Sequence, residues 1–262
     1  MTDIEAGSRG SRLWANAVLP ALGVVITVGL WWLATTAFHI DPFYVPSPAD
    51  VVDKFLEMPK FLLQESWITI QRVLIGFAIA VAGGLIIAVT LAASRTVERM
   101  AMPVLAAINA IPKVALAPLL LVWLGFGDTP KIVMVVLVSF FPVIVSTMAG
   151  LTSTPADLRE LARSLKASWW QTFVKVRLTW ALPQVFVGLK VATPLAIIGA
   201  VIGEVVNPDH GLGSVIAGSS ASSDTTLAFV ALVLLAVLGV VLFYLVAGLE
   251  RLLVPWARAI SS

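Results

Sequence analysis

Residues 225–249 read TTLAFVALVLLAVLGVVLFYLVAGL and contain no Asp, Glu, Lys or Arg. An α-helix of about 20 residues crosses the roughly 30 Å of hydrocarbon in a bilayer, so this stretch is long enough to span a membrane. Inside lipid every backbone amide must be satisfied within the segment, and a barrel strand would alternate apolar and polar residues over about 10 positions. The stretch therefore predicts a transmembrane helix.

Five more stretches have the same character. Residues 13–40, 73–94 and 132–156 carry no charge, while 100–127 and 178–203 each contain a single lysine. We predict an all-α, polytopic membrane protein with spanning helices at 17–38, 70–93, 101–124, 131–151, 181–203 and 226–249.

The composition of the whole chain excludes several function classes. Of its 262 residues, 59% are hydrophobic and 12% are charged, whereas a soluble domain carries about 25% charged residues. A soluble enzyme and a disordered chain are both excluded. There is no cysteine, and the two histidines, His39 and His210, form no ligand motif, so we expect no metal site. No G-x-x-x-x-G-K-[ST] loop is present, so we expect no cofactor and no ATP hydrolysis in this chain.

The distribution of basic residues predicts the orientation. Eleven Lys and Arg lie on the side that holds both termini, and three lie on the other side. The positive-inside rule therefore places both termini in the cytoplasm. We predict a cytoplasmic segment at 1–16, a six-helix domain at 17–254 and a cytoplasmic tail at 255–262.

Two loops carry helix-start signals. Ser47-Pro48-Ala49-Asp50 combines an N-cap serine, a proline at the first helical position and an acid in the first turn, which predicts a short amphipathic helix outside the membrane. This helix either anchors its loop at the interface, the reading we favour, or contacts substrate. Thr154-Pro155-Ala156-Asp157 has the same pattern and opens the cytoplasmic loop 152–180.

The cytoplasmic loop is predicted to contain two short helices. Leu158, Leu161, Ala162 and Leu165 repeat at helical spacing, and Ser168 is placed to cap a second helix. Two readings remain open: a hairpin that lies on the membrane, or a docking surface for a cytoplasmic partner.

Charges in or beside spans are candidates for the translocation pathway. Lys113 lies between two prolines that predict a broken helix. It either faces the pathway, or it reaches a carbonyl freed by the break or snorkels to the cytoplasmic interface. Glu204 ends the fifth span and is either a pathway or gate residue or an interfacial carboxylate paired with a lysine. We expect Lys190 to snorkel or to pair with another helix, and Arg72 to be interfacial.

Glycines in two places are given structural roles. Gly83-Gly84 predicts a close approach between helices. Gly211-Leu212-Gly213 lacks the context of a dinucleotide fingerprint and is predicted to be a turn in an outer loop.

The cytoplasmic loop resembles the EAA loop of bacterial ABC importer permeases, whose pattern is Glu-Ala-Ala, three residues, Gly, nine residues and Ile-x-Leu-Pro. Residues 160–168 read ELARSLKAS, and Trp170-Gln171 follow. Glu160 and Ala162 match the pattern, while Lys166 replaces its Gly and Thr179 its Pro. Further stretches are similar to the nitrate/sulfonate/taurine-type permeases: VPSP at 45–48, AIPKVALAP at 110–118, LGFG at 124–127, FFP at 140–142, GE at 203–204 and GLG at 211–213.

The resemblance implies a type I ABC importer in the bacterial inner membrane. It implies a homodimer of this chain, cytoplasmic ABC ATPase subunits that bind ATP and Mg²⁺, and an extracytoplasmic solute-binding protein. The transported solute would be a sulfonate, nitrate, a carboxylate or a heteroaromatic precursor; no nucleic acid is expected. The ATPase-coupling residues it implies are Asp157, Glu160, Leu161, Ala162, Arg163, Ser164, Leu165, Lys166, Ala167 and Ser168.

The resemblance also raises a question about the loop turn, because a lysine in the left-handed conformation costs about 1–2 kcal/mol where glycine costs little. The alternative class is an ion-coupled secondary transporter or channel. Such carriers use carboxylates or histidines near the midplane, and none lies deep in a predicted span.

Overall fold

The computed structural model describes residues 4–256, so residues 1–3 and 257–262, at the ends of the two predicted cytoplasmic segments, lie outside the described residues. Helices and no β-strands are found across 4–256. The elements are α1 (Ile4–Ala37), α2 (Pro48–Glu57), α3 (Pro59–Ala92), α4 (Arg95–Ala110), α5 (Lys113–Leu124), α6 (Asp128–Thr152), α7 (Ala156–Ser164), α8 (Trp169–Thr172), a π-helix (Phe173–Leu178), α9 (Thr179–Val206), α10 (Leu212–Ser222) and α11 (Thr225–Leu253).

Four helices are long and apolar enough to cross a membrane: α3, α6, the continuous helix Trp169–Val206 and α11. They confirm four of the predicted spans, although their ends extend beyond the charge-free stretches. The start of α3 at Pro59 rather than at residue 70 has the largest consequence, because it places Arg72 in the interior of a helix.

The predicted span 101–124 is not one straight helix. Instead, α4 and α5 are bent by 84° at a short break. Ile111 is extended, with φ −62° and ψ 129°, because the ring of the following proline disfavours helical geometry at the preceding residue. Counted as one bent span, this pair brings the number of candidate spans among the described residues to five.

The first predicted span, 17–38, corresponds to α1. Within α1, Ala21–Ala37 is an apolar helix. The domain boundaries drawn from the sequence stay predictions.

The first of two compact units comprises residues up to Pro59 together with Ser219–Val230. Within it, the predicted helix start at Ser47 is confirmed, because Ser47 and Asp50 form a capping box at the start of α2. The Trp31 indole donates a hydrogen bond to the Pro46 carbonyl at 3.1 Å. Lys54 contacts Glu57 at 3.2 Å and Asp224 at 3.3 Å.

The second unit comprises Lys60–Gly218 and the residues from Ala231 onward, and its centre is the contact between α6 and α9. Glycines let these helices approach closely. A Cβ on Gly199 would lie 2.7 Å from the Cα of Val135, and one on Gly203 would lie 2.9 Å from the Cα of Lys131. Packing of small residues against a neighbouring backbone is typical of membrane helices.

The predicted glycine pair in α3 divides into two different positions. A Cβ on Gly84 would lie 2.9 Å from Val143, so this glycine does allow a close approach. Gly83 has no neighbour within 4 Å of the same position. The prediction is therefore confirmed for Gly84 and wrong for Gly83.

Candidate functional site: the α7–α8 loop and a buried ion-pair cluster

The loop between α6 and α9 contains two short helices, as predicted, but the first begins differently. The N-cap position of α7 is Pro155, and it makes no side-chain capping bond. The predicted cap, Thr154, instead donates its hydroxyl to the Leu151 carbonyl at 3.3 Å. The prediction of Thr154 as an N-cap is therefore wrong, because this hydroxyl is used at the end of α6.

The start of α8 follows the prediction. The Ser168 hydroxyl accepts a hydrogen bond from the Gln171 amide at 3.2 Å, and the Gln171 side chain accepts one from the Ser168 amide at 2.9 Å. This reciprocal pair satisfies two amides that would otherwise lack partners at a helix start.

Lys166, at the position where the family pattern has glycine, forms a left-handed turn. Its φ is 52°, in the left-handed region. Its amide donates to the Arg163 carbonyl at 2.9 Å, and the Ala167 amide donates to the Ala162 carbonyl at 3.0 Å. These two bonds form a Schellman motif at the end of α7. The lysine therefore leaves the loop geometry intact, at a conformational cost of about 1–2 kcal/mol.

The helix continues through Thr179, where the family pattern has a proline. The π-helix Phe173–Leu178 passes directly into α9, so one helix runs from Trp169 to Val206. A fixed break before the fifth span is absent, and α8 is joined to the spanning helix without a hinge.

The surface of α7 exposes apolar side chains. Leu161 is 56% exposed and Leu165 is 73% exposed. Of the ten predicted coupling residues, Ala162 is buried, Ala167 is half-buried and the others are exposed: Asp157, Glu160, Leu161, Arg163, Ser164, Leu165, Lys166 and Ser168. A cavity of about 300 Å³ separates α7 from the helix that follows, with Leu158 and Val176 among its walls. Leu161 and Leu165 also line this cavity.

The Lys113 side chain donates hydrogen bonds to acceptors at the break between α4 and α5. Its ammonium group lies 2.8 Å from both the backbone carbonyl and the side-chain oxygen of Asn109. In a continuous helix that carbonyl would accept from the amide of residue 113. These contacts match the reading in which Lys113 reaches a freed carbonyl. A role in the pathway stays a prediction.

Glu204 is fully buried at the end of α9. Its carboxylate accepts hydrogen bonds from Arg72 at 2.9 Å, from Thr69 at 3.0 Å and from the Gly213 amide at 2.8 Å. The expectation of a lysine partner is therefore wrong, because the paired cation is Arg72, while an interfacial position of Glu204 stays a prediction. Whether Glu204 takes part in the pathway stays a prediction.

Arg72 is 5% exposed, so its side chain lies inside the protein, while its interfacial position in the membrane stays a prediction. Its guanidinium donates to Asp128 at 2.8 Å, to Glu204 at 2.9 Å and to the His210 carbonyl at 2.6 Å. A planar guanidinium with five donors suits such simultaneous contacts. Arg72 thus joins α3, the start of α6, the end of α9 and the segment that precedes α10.

Further groups extend this ion-pair cluster. Lys131, the first residue of the predicted span 131–151, is fully buried inside α6 and pairs with Asp209. The Glu65 carboxylate accepts from the Gly211 amide and lies 3.3 Å from the His210 ring. The cluster holds four acidic side chains, Glu65, Asp128, Glu204 and Asp209, and two basic ones, Arg72 and Lys131, beside His210. Its geometry fixes residues 207–213 against α3 and α6.

Asp209 lies in the segment between α9 and α10. Burial alone would raise the pKa of its carboxyl, but the hydrogen bonds from Lys131 and the His210 amide, with the charges of Lys131 and Arg72, outweigh that effect. The pKa of Asp209 is therefore lowered, and the carboxylate is held ionised. Any stability that this shift contributes is present above the ordinary carboxyl pKa and is lost as the pH falls through the lowered one.

The two glycines beside Glu204 explain the GLG stretch. Gly211 has a φ of 103°, and a Cβ there would collide with the Glu204 carboxylate. A Cβ on Gly213 would lie 2.7 Å from the Glu204 Cβ. Gly211 lies in a turn, as predicted, whereas Leu212 and Gly213 begin α10.

Lys190 has the role that was expected of it. Its ammonium group lies 2.8 Å from the Glu250 carboxylate, which joins α9 to α11. This pair confirms the interhelical reading.

Sequence reasoning missed Glu65, Thr69, Lys131 and Asp209 as members of the cluster. Three charged members of the cluster could have been grouped from their positions along the sequence. Arg72, Lys131 and Glu204 lie near the same predicted outer ends of three spans, where uncompensated charges are costly and seek one another.

Comparisons with known proteins bear on this arrangement. A family model described as the binding-protein-dependent transport system inner membrane component matches residues 80–258. The chain is 39% identical over 243 residues to the riboflavin transport system permease protein RibX of Chloroflexus aurantiacus, which covers 90% of this chain and 91% of the relative. It is 31% identical over 247 residues to the taurine transport system permease protein TauC of Escherichia coli, covering 90% and 87%.

A solved structure shares the fold. A chain of the MetNI methionine ABC transporter in an inward-facing conformation superposes with a TM-score of 0.66 at 21% identity. The match covers 74% of the present chain and 97% of that chain. It confirms the predicted all-α permease fold.

Proposed function

This chain belongs to the family of binding-protein-dependent transport system inner membrane components, and from that membership we propose that α7 is the contact through which an ABC ATPase drives import. The chain is a multi-pass ABC transporter permease. The further parts of the proposal are a homodimer of this chain, cytoplasmic ATPase subunits that bind ATP and Mg²⁺, an extracytoplasmic solute-binding protein, and both termini in the cytoplasm.

The observation that carries the proposal is the exposed surface of α7. A nine-residue helix joins two spanning helices and presents Leu161 and Leu165 to solvent beside charged side chains. The Schellman motif at Lys166 and the capping box at Ser168 hold its end in place. A rigid, partly apolar helix outside the spans is suited to insertion into a groove on a partner.

We test the coupling role with Glu160→Arg in the full chain, coexpressed with its ATPase. Glu160 is exposed on α7, so the substitution reverses a charge without disturbing the core. We expect association with the ATPase and ATP-dependent uptake to fall by about tenfold or more, since a like-charge contact in an interface costs several kcal/mol. The amount of permease in the membrane should stay the same.

The matched control is Glu57→Arg, which reverses another exposed acid, at the end of α2. This variant should recruit the ATPase and support uptake normally. Unchanged recruitment and uptake in Glu160→Arg would overturn the proposal. Uptake that persists after the ATPase is deleted would favour the alternative, an ion-coupled secondary transporter.

For the substrate, we favour a heteroaromatic precursor over a sulfonate, nitrate or carboxylate. Both predicted pathway charges are engaged within the chain: Lys113 by Asn109, and Glu204 by Arg72 and Thr69. Two of the three donors of the Lys113 ammonium group are therefore occupied, and the Glu204 carboxylate is paired with a cation. The 39% identity to a riboflavin permease supports the same choice. Thermal-shift screening of the binding protein encoded beside this chain tests it. Stabilisation by riboflavin-like compounds is expected, and stabilisation by taurine alone would contradict it.

A further inference from the structure

A second cavity adjoins α7, α8 and the end of α3. Its volume is about 440 Å³, and its walls include Arg159, Arg163, Arg177, Trp169, Thr172 and Phe173. The cavity therefore combines three guanidinium groups with an aromatic wall and a hydroxyl. Of its three arginines, only Arg163 belongs to the predicted coupling residues.

The arginines of this cavity lack acidic partners. Within the described part of the chain, none of the three forms an ion pair with a carboxylate. Arg177 donates to the carbonyls of Ala92 at 3.2 Å and Leu151 at 3.3 Å. The Nε of Arg159 is buried and has no hydrogen-bond partner. Buried donors without a partner are rare and point to a missing acceptor.

The charges of the cavity point to an anion. The positive charge of Arg159 acts on Arg177, and like charges in a partly buried site destabilise one another unless an anion neutralises them. Guanidinium groups bind phosphate oxygens through paired hydrogen bonds, more strongly than they bind neutral acceptors.

The position of the cavity identifies the source of that anion. Ala92, in its wall, is the last residue of the spanning helix α3, and Trp169 is the first residue of the spanning helix that ends at Val206. Trp169 and Trp170 are 65% and 64% exposed, and tryptophans are enriched where a membrane meets water. The Trp169 ring stacks on Phe173 with centroids 5.5 Å apart. The cavity is thus bordered by the ends of two helices that are long and apolar enough to span a membrane, and by exposed tryptophans.

We propose that this cavity binds the phosphate of an anionic phospholipid from the leaflet on the α7 side of the membrane. The three arginines contact the phosphate oxygens, and the Trp169–Phe173 wall packs against the glycerol and the first acyl carbons. Basic pockets between spanning helices are suited to such headgroups. The lipid would brace α7 and α8 against the end of α3, where no protein acceptor satisfies Arg159.

The test uses the full permease–ATPase complex in detergent after removal of lipid. The probe is phosphatidylglycerol with a fluorescent label on its acyl tail, and equally labelled phosphatidylcholine is the reference. We expect tighter binding of phosphatidylglycerol. Arg159→Gln should weaken it by about tenfold, the size expected for one charge-assisted hydrogen bond. Arg159→Lys should weaken it less, because it keeps the charge.

The matched control is Arg251→Gln, which removes an exposed arginine in the last turn of α11. Its affinity for phosphatidylglycerol should equal that of the unaltered chain, and monodisperse elution of every variant should establish that the fold is kept. Equal affinities for the two lipids, or no effect of Arg159→Gln, would overturn the proposal. Full displacement by millimolar inorganic phosphate would assign the site to a soluble phosphate compound instead. Loss of the ATPase from Arg159→Gln with unchanged lipid affinity would assign the arginines to the ATPase interface.

Discussion

Arg72 is the residue that holds the ion-pair cluster together. It is 5% exposed and contacts Asp128, Glu204 and the His210 carbonyl at once. No lysine could reproduce these contacts, because an ammonium group is a point charge and lacks the planar fork of donors. Four segments of the chain therefore depend on one guanidinium group.

We predict that Arg72→Gln destabilises the protein severely. The substitution leaves the fully buried Glu204 carboxylate without its cation, and removing one partner of a buried pair costs about 3–5 kcal/mol. Thermal unfolding of the detergent-solubilised complex should show a large drop in Tm.

Lys190→Gln provides the comparison for that variant. Lys190 and Glu250 are 25% and 21% exposed, so their separation leaves less charge uncompensated, and we expect a loss of roughly 1 kcal/mol or less. Equal losses of Tm in the two variants would show that burial of the Arg72–Glu204 pair is not what makes it important.

Single residues were also the scale at which the sequence was least informative. The partners of Glu204 include Thr69, which is 135 positions away along the chain, and local spacing carries no information about such a contact. The prediction for Lys190 was correct because it needed only the observation that a single lysine lies within an apolar helix. Lys166 shows the converse: its replacement of glycine was visible, but the neighbouring hydrogen bonds decided that the turn persists.

At the scale of elements, the contact between α6 and α9 depends on glycines. We predict that Gly199→Ala destabilises the chain by about 1–3 kcal/mol, because the added Cβ would lie 2.7 Å from the Val135 backbone and overpack the contact. Gly83→Ala should leave Tm unchanged or raise it, since Gly83 has no neighbour within 4 Å and alanine favours a helix interior by about 1 kcal/mol. A fall in Tm of similar size in both variants would contradict the assignment of α6–α9 as the close contact.

Hydropathy predicted the long helices well, because the cost of burying charge in lipid keeps charged residues out of stretches as long as a span. It did not predict the 84° bend between α4 and α5, since hydropathy averaged over a window of residues contains no information about the direction of a helix axis. The prolines pointed to a break there, but not to its angle. The start of α7 was misjudged for a local reason, because the Thr154 hydroxyl had a competing acceptor in α6.

At the scale of the whole molecule, the predicted orientation is testable because the chain contains no cysteine. We predict that Asp53→Cys, on α2, reacts with a membrane-impermeant maleimide in intact cells. Arg251→Cys, in the last turn of α11, should react only after the membrane is permeabilised. Both side chains are exposed, so a difference in labelling reports the side of the membrane. The reverse pattern would invert the topology.

The uninterrupted helix from Trp169 to Val206 has a mechanical consequence. Its 38 residues span about 57 Å at 1.5 Å per residue, with α8 at one end and Glu204 near the other. A helix transmits axial displacement and torque along its length. A displacement of the loop end therefore reaches the Glu204 carboxylate through the backbone, without a relay of side chains. The helix is most compliant at Pro183 and Pro194, where the missing amide removes a rung from the hydrogen-bond ladder. Bending there would convert a stroke at one end into a tilt at the other.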